Sequence, residues 1–145
     1  MPKLLLHFQC PSTDLSLPDI KYFKKWANAS LRVDTEVTIR IVDAAEGQAL
    51  NRAYRRRDYA TNVLTFRLSE TPHLMGDIII CAPVVASEAL AQHKTLMAHY
   101  AHLTVHGILH LHGYDHENER QATLMEGLEI SILHKLGYAN PYHIA

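Results

Sequence analysis

The run His106-Gly107-Ile108-Leu109-His110-Leu111-His112-Gly113-Tyr114-Asp115-His116 constrains this chain more than any other stretch, because it dictates both a helix and the place where the helix ends. If residues 106–112 are helical, His106 and His110 stand about one turn apart on one face, where both imidazoles reach a single ion. Gly113 can take the left-handed backbone that closes a helix and turns the chain back, which returns His116 toward the other two. Three neutral imidazoles leave the fourth position of a tetrahedral zinc open to water or substrate, as catalytic sites do. The expectation is a hydrolase centre at a helix C-terminus, with one Zn2+ on His106, His110 and His116.

Histidine abundance demands a comparison with simpler readings. With 11 histidines in 145 residues, a His-x-x-x-His pair arises by chance on the order of once. His102 and His106 are also four apart, as are His112 and His116, and the stripe His99, His102, His106, His110 reads equally as a polar seam or as core histidines bonded to carbonyls. The whole pattern is more specific: helical pair, glycine break and third histidine reproduce the metzincin spacing His-x-x-x-His-x-x-Gly-x-x-His. His112 falls on another face and is not an expected ligand. His102 is expected to support the centre from behind or to line its groove. One position departs from the metzincin pattern. Peptidases of that class place glutamate directly after the first histidine as general base, and here that residue is Gly107. Peptide hydrolysis by that route is therefore disfavoured.

Periodicity sets the fold class. Residues 3–9 read as a strand, and 19–33 as an amphipathic helix with Ile20, Phe23, Trp26, Ala27 and Leu31 at helical spacing. Residues 36–43 alternate Val37, Ile39 and Ile41 inward against Thr38, Arg40 and Val42, a strand by period and β-branched content. A short helix is expected at 48–56 and strands at 63–68 and 77–81, with Pro72 and Gly76 in the loop between them. Pro83 opens a helix through Ala91, another runs from about Thr95 into the metal histidines, and the last spans 119–136 before Gly137. These elements predict an α+β domain spanning 1–145, its four-stranded mixed sheet packed against about five helices.

A net charge of −1 excludes a global basic field, so any nucleic-acid contact must come from a local patch. Arg52, Arg55, Arg56 and Arg57 supply one. Cations at a helix C-terminus are favoured by its dipole, which accounts for two or three of the four without any ligand. Cys10 and Cys81 are far apart and form no CxxC pair, which favours a reduced, cytoplasmic protein over one with a disulfide. The N-terminal MPKLLLHFQC is broken by His7 and Gln9 and reads as a strand, not a signal peptide, and no stretch approaches transmembrane length.

Four segments together resemble the YbeY-type endoribonucleases, metal-dependent bacterial enzymes of ribosomal RNA maturation. They are LNRAYRRRDYATNVLTF at 50–66, GDIIIC at 76–81, HGILHLHGYDH at 106–116 and MEGLEISILHKLGYANPY at 125–142, spanning the last two-thirds of the chain in the family's order. The resemblance implies a zinc-dependent, single-strand-specific endoribonuclease acting in 16S ribosomal RNA 3′-end maturation and ribosome quality control. It further implies small-subunit ribosomal proteins and an Era-type GTPase as partners, with no membrane association and no DNA specificity. Within the Asn51, Tyr54, Arg55 pattern it singles out Arg55 as facing the metal cleft, where a planar guanidinium suits a phosphate. Asn51 is expected to hold local backbone. Asn62 and Thr65 depart from the aspartate and serine common at those positions.

The catalytic set is thus expected to be Arg55, His106 and Asp115. Asp115 and Glu117 flank His116, and either can orient a ligand imidazole or accept a proton. A turn aspartate bonding its own backbone is an equal reading of Asp115. Met125 resembles the methionine beneath metzincin sites, but core packing explains a lone Met on an apolar helix face as well. Against the nuclease stand a metallopeptidase, opposed by Gly107, and an RNA-binding ribosome-assembly factor with a structural metal.

Overall fold

The strand β2 (Thr35–Val42) is the spine of the molecule, and its alternation of buried and half-buried residues follows the period of the sequence. In this computed structural model, which describes residues 1–143, β2 pairs in parallel with β1 (Leu4–Gln9) on one side and β4 (Leu74–Cys81) on the other. The strand β3 (Val63–Ser69) runs antiparallel to β4 at the outer edge, giving the order β1-β2-β4-β3. Parallel neighbours need a crossover, and α1 (Ile20–Ser30) provides it between β1 and β2.

Register fixes which side chains share a face. Val37, Ile39 and Ile41 stand opposite Gly76, Ile78 and Ile80, and all six are buried. Helices α1 and α4 (Leu96–Leu111) pack together, and α4 lies on this face. Phe23 of α1 meets Trp26 edge-on at 5.3 Å and Tyr100 of α4 at 5.9 Å. Each large apolar side chain buried here contributes about 1.5–3 kcal/mol. Enclosed in this way, α4 is apolar on most of its circumference: Tyr100, Ala101, Leu103, Val105, Ile108, Leu109 and Leu111 are all buried. The last helix, α5 (Glu119–Lys135), packs on α4 through Met125, Ile132 and Leu133. On the opposite face of the sheet Glu36 accepts from Nε2 of His7 at 2.9 Å and of His73 at 3.0 Å.

The expected α+β class, four-stranded mixed sheet and five helices are all present. Several boundaries differ from expectation: α1 stops at Ser30, not Val33, with Leu31 already in extended backbone. The strand β4 begins at Leu74, not Asp77, because Thr35↔Leu74 already starts the parallel ladder with β2. Gly76 is thus a strand residue, not a loop breaker: a Cβ there would stand 2.5 Å from Leu111 Cδ2, so the missing side chain lets the end of α4 reach the sheet. The helix α2 (Ala44–Arg55) also starts earlier than Gln48, from Asp43. Pro83 occupies the first turn of α3 (Ala82–Ala91). Cys10 is exposed, Cys81 is buried, and both are free thiols. No helix among the described residues is long and apolar enough to cross a membrane.

Candidate metal centre

The C-terminus of α4 builds the site. His112 caps the helix, and Gly113, at φ 97°, adopts a backbone that side-chain-bearing residues avoid. The Gly113 N–H donates to the His110 carbonyl at 3.0 Å and the Tyr114 N–H to Leu109 at 3.1 Å, the paired bonds of a Schellman ending. Arg67 of β3 donates through Nε to the Leu111 carbonyl at 3.0 Å, which satisfies a further helix-end acceptor. The chain reverses there and brings His116 back over the last turn.

One nitrogen from each of His106, His110 and His116 lies within 4.8 Å of the others. Ring centroids are 4.6 Å apart for His106 and His110, 5.1 Å for His110 and His116, and 5.6 Å for His106 and His116. An ion held at about 2.0–2.1 Å sets tetrahedral nitrogens roughly 3.4 Å apart, so small side-chain adjustments close the set around one ion. Burial first, then the neighbouring charges of His106 and His116, push the His110 pKa down to about 4 and keep its ring neutral, with a lone pair to give. The donor chemistry fits a divalent metal that accepts imidazole. His112 takes no part, as expected, because both its nitrogens are engaged: Nδ1 donates to the Ile108 carbonyl at 2.8 Å and Nε2 accepts the Arg32 N–H at 3.1 Å.

Behind the triad stands Glu129 of α5, a buried carboxylate absent from the sequence expectations. His102 Nε2 lies 2.6 Å from its Oε2, His106 Nδ1 lies 3.4 Å from its Oε1, and the Tyr142 hydroxyl donates to both oxygens at 2.9 Å. Burial pushes this carboxyl up, but the hydrogen bond from His102, the nearby His106 Nδ1 and the charges of both rings outweigh it and hold the pKa at about 2. For Tyr142, burial and then the Glu129 charge push the hydroxyl pKa up, which keeps it a donor. His102, His106 and Glu129 also cluster within 4.8 Å. There His102 and Glu129 are hydrogen-bonded directly to each other at 2.6 Å. One signal of Glu129 was in the sequence: a carboxylate in the stripe Met125, Glu129, Ile132, Leu133, which is otherwise apolar at helical spacing.

Other anticipated residues take varied places. Gly107 faces the sheet: a Cβ there would meet Ile78 Cδ1 at 3.0 Å, so this position points into the core. Asp115 accepts the His116 backbone N–H at 2.7 Å, and its charge acts on His110. Glu117 is exposed, with its backbone N–H on Gln121 Oε1. Met125 belongs to the core cluster. Arg55 ends α2, Arg56 follows in the left-handed conformation at φ 57°, and Arg52, Arg55, Arg56 and Arg57 are all exposed. The arginine ion pairs among the described residues are those of Arg40 with Glu46 and Arg67 with Glu70, so these four remain available. Asn51 holds local backbone, donating to the Tyr59 carbonyl at 2.7 Å and tying down the arginine loop. Tyr54 packs on Phe66 with centroids 5.1 Å apart. Asn62 donates to Glu88 Oε1 at 3.1 Å, and His99 Nε2 lies 2.9 Å from the same oxygen. An aspartate at 62 would set two carboxylates face to face.

Known proteins resemble this chain over most of its length. The family model described as endoribonuclease YbeY matches residues 16–137. An endoribonuclease YbeY of Methylobacillus flagellatus is 63% identical over 142 residues, covering 98% of this chain and 95% of its own. One of Nitrosomonas europaea is 50% identical over 142 residues, covering 98% and 87%. The solution structure of a Thermotoga maritima protein superposes with a TM-score of 0.59 at 22% identity, over 96% of this chain and 99% of that one, and so shares the fold. With its histidine triad, glycine-closed helix and arginine loop borne on the matched residues, the chain belongs to the endoribonuclease YbeY family.

Proposed function

We propose that this chain, acting through residues 1–145 as one catalytic domain, is a zinc-dependent endoribonuclease that cuts single-stranded RNA. The observation carrying this reading is the convergence of His106, His110 and His116 on one point, beside a residue 107 that packs into the core instead of offering a base. That combination favours phosphodiester over peptide chemistry, in keeping with the name of the family.

His106, His110 and His116 would hold the ion, which when bound supplies Lewis-acid chemistry at a phosphoryl oxygen. Arg55 grips a phosphate through its planar fork and offsets the charge that builds on the transition state. Asp115, next to the third ligand, orients that region of the site or accepts a proton from the attacking group. In the cell we assign it to the cytoplasm and to 16S ribosomal RNA 3′-end maturation and ribosome quality control. Small-subunit proteins and an Era-type GTPase are the proposed partners. Support for these finer assignments is the likeness to the family.

The test is cleavage of single-stranded and duplex RNA by purified protein, with zinc, with chelator and after zinc is restored, alongside casein. Single-strand cleavage that chelator abolishes and zinc restores is expected. Casein hydrolysis, or RNA cleavage undiminished in a His106→Ala/His110→Ala double variant, would overturn the reading.

A further inference from the structure

A buried carboxylate costs several kcal/mol unless its oxygens are fully bonded, so the partners of Glu129 indicate its role. Apolar residues of the same stripe, Met125, Ile132 and Leu133, already hold α5 in the core, and an apolar side chain at 129 would do so without desolvating a charge. Glu129 instead gathers three polar side chains: His102 at 2.6 Å, Tyr142 at 2.9 Å on both oxygens, and His106 Nδ1 at 3.4 Å. The last distance is a few tenths of an ångström beyond a formed N–H···O bond.

An ionised carboxylate accepts hydrogen bonds and donates none, while a neutral imidazole carries one N–H and one lone pair. A proton on Nδ1 of His106 would face Glu129 and leave Nε2 bare for the triad. We propose that Glu129 is a positioning residue of the metal centre. It holds His106 in the tautomer and orientation that present Nε2 beside His110 and His116. Tyr142, from the segment after α5, fixes the carboxylate in that pose, and His102 supplies a further donor. This rests on the metal reading of the triad, and it makes the tail that bears Tyr142 a determinant of metal affinity.

Two readouts test it without recourse to activity. Imidazole 15N shifts of the metal-free protein should show His106 protonated at Nδ1; protonation at Nε2 would overturn the inference before any metal is added. Zinc affinity, read by competition with a chromophoric chelator, should fall about 10–100-fold in Glu129→Gln, as loss of such supporting groups does elsewhere. Tyr142→Phe, which removes one hydroxyl and leaves the ring, should lose affinity in the same direction by a smaller factor. Affinity within about twofold of the parent in both variants, with the parent binding one zinc through the triad, would sink the positioning role alone. A parent that binds no zinc, or keeps it in His106→Ala, would instead remove the metal reading itself.

Discussion

Gly107 lies directly against Ile78, so close that a Cβ at 107 would stand 3.0 Å from Ile78 Cδ1. Ile78 is wholly buried in the sheet and has little room to retreat. Gly107→Val is therefore expected to destabilise by about 1–3 kcal/mol through overpacking. Gly107→Glu should cost more, since it drives a charge into the core, and should create no peptidase. Urea unfolding of the two variants and a casein assay check this. A stable, proteolytic Gly107→Glu protein would contradict it.

His112 and His116 should separate cleanly. Loss of any of His106, His110 or His116 is expected to lower zinc content in the purified protein, measured by elemental analysis. His112→Ala should retain zinc but lose about 0.5–1.5 kcal/mol, because it deletes the side-chain bonds to the Arg32 N–H and the Ile108 carbonyl. Full zinc retention in His116→Ala would transfer the site to another set of histidines.

Arg55 is exposed and outside any ion pair among the described residues, so Arg55→Ala should change stability by no more than about 0.5 kcal/mol. RNA cleavage should nonetheless fall far more than in Arg57→Ala, and Arg55→Lys should recover little of it, since an ammonium cannot make a bidentate fork. Equal small losses for all four arginines would mark a diffuse electrostatic patch.

Glu36 makes stability depend on acid. Hydrogen bonds from His73 and then His7 hold its carboxyl below the usual 4.5. A depressed carboxylate contributes stability above its unfolded pKa and loses it as pH falls through the folded one, so this contribution should begin to fall near about pH 4.5 and be lost progressively at lower pH. Asp14 and Asp43 shift in the same direction, so the comparison must be with Glu36→Gln. That variant should show a shallower fall of the urea midpoint on acidification; an identical fall would exclude the contribution.

Local spacing made much of this protein legible. The i, i+4 histidines and Gly113 act within one helical turn and one reversal, so the triad could be read without knowing what surrounds α4. Alternation in β2 likewise announced its two faces. Gly76 misled because a glycine signals flexibility in a bare sequence, whereas its use here is to admit Leu111 from a helix 35 residues away in the chain. The residues around Asn51 behaved as local chemistry suggests, holding the arginine loop through Tyr59.

The grouping of His106, His110 and His116, the α+β order and the family were legible in the chain alone, because each depends on residues near one another in the chain or on a string of motifs in fixed order. Long-range packing settled what stands behind the three histidines. Glu129 and Tyr142 are 23 and 36 residues beyond His106 in the numbering, and only the packing of α5 on α4 and the return of the tail bring them to one carboxylate. It likewise turned Gly107 into the core and tied both nitrogens of His112, choices that depend on which face of α4 meets the sheet. Side-chain direction within a helix follows from spacing, but what each face meets is settled by the long-range burial of apolar surface.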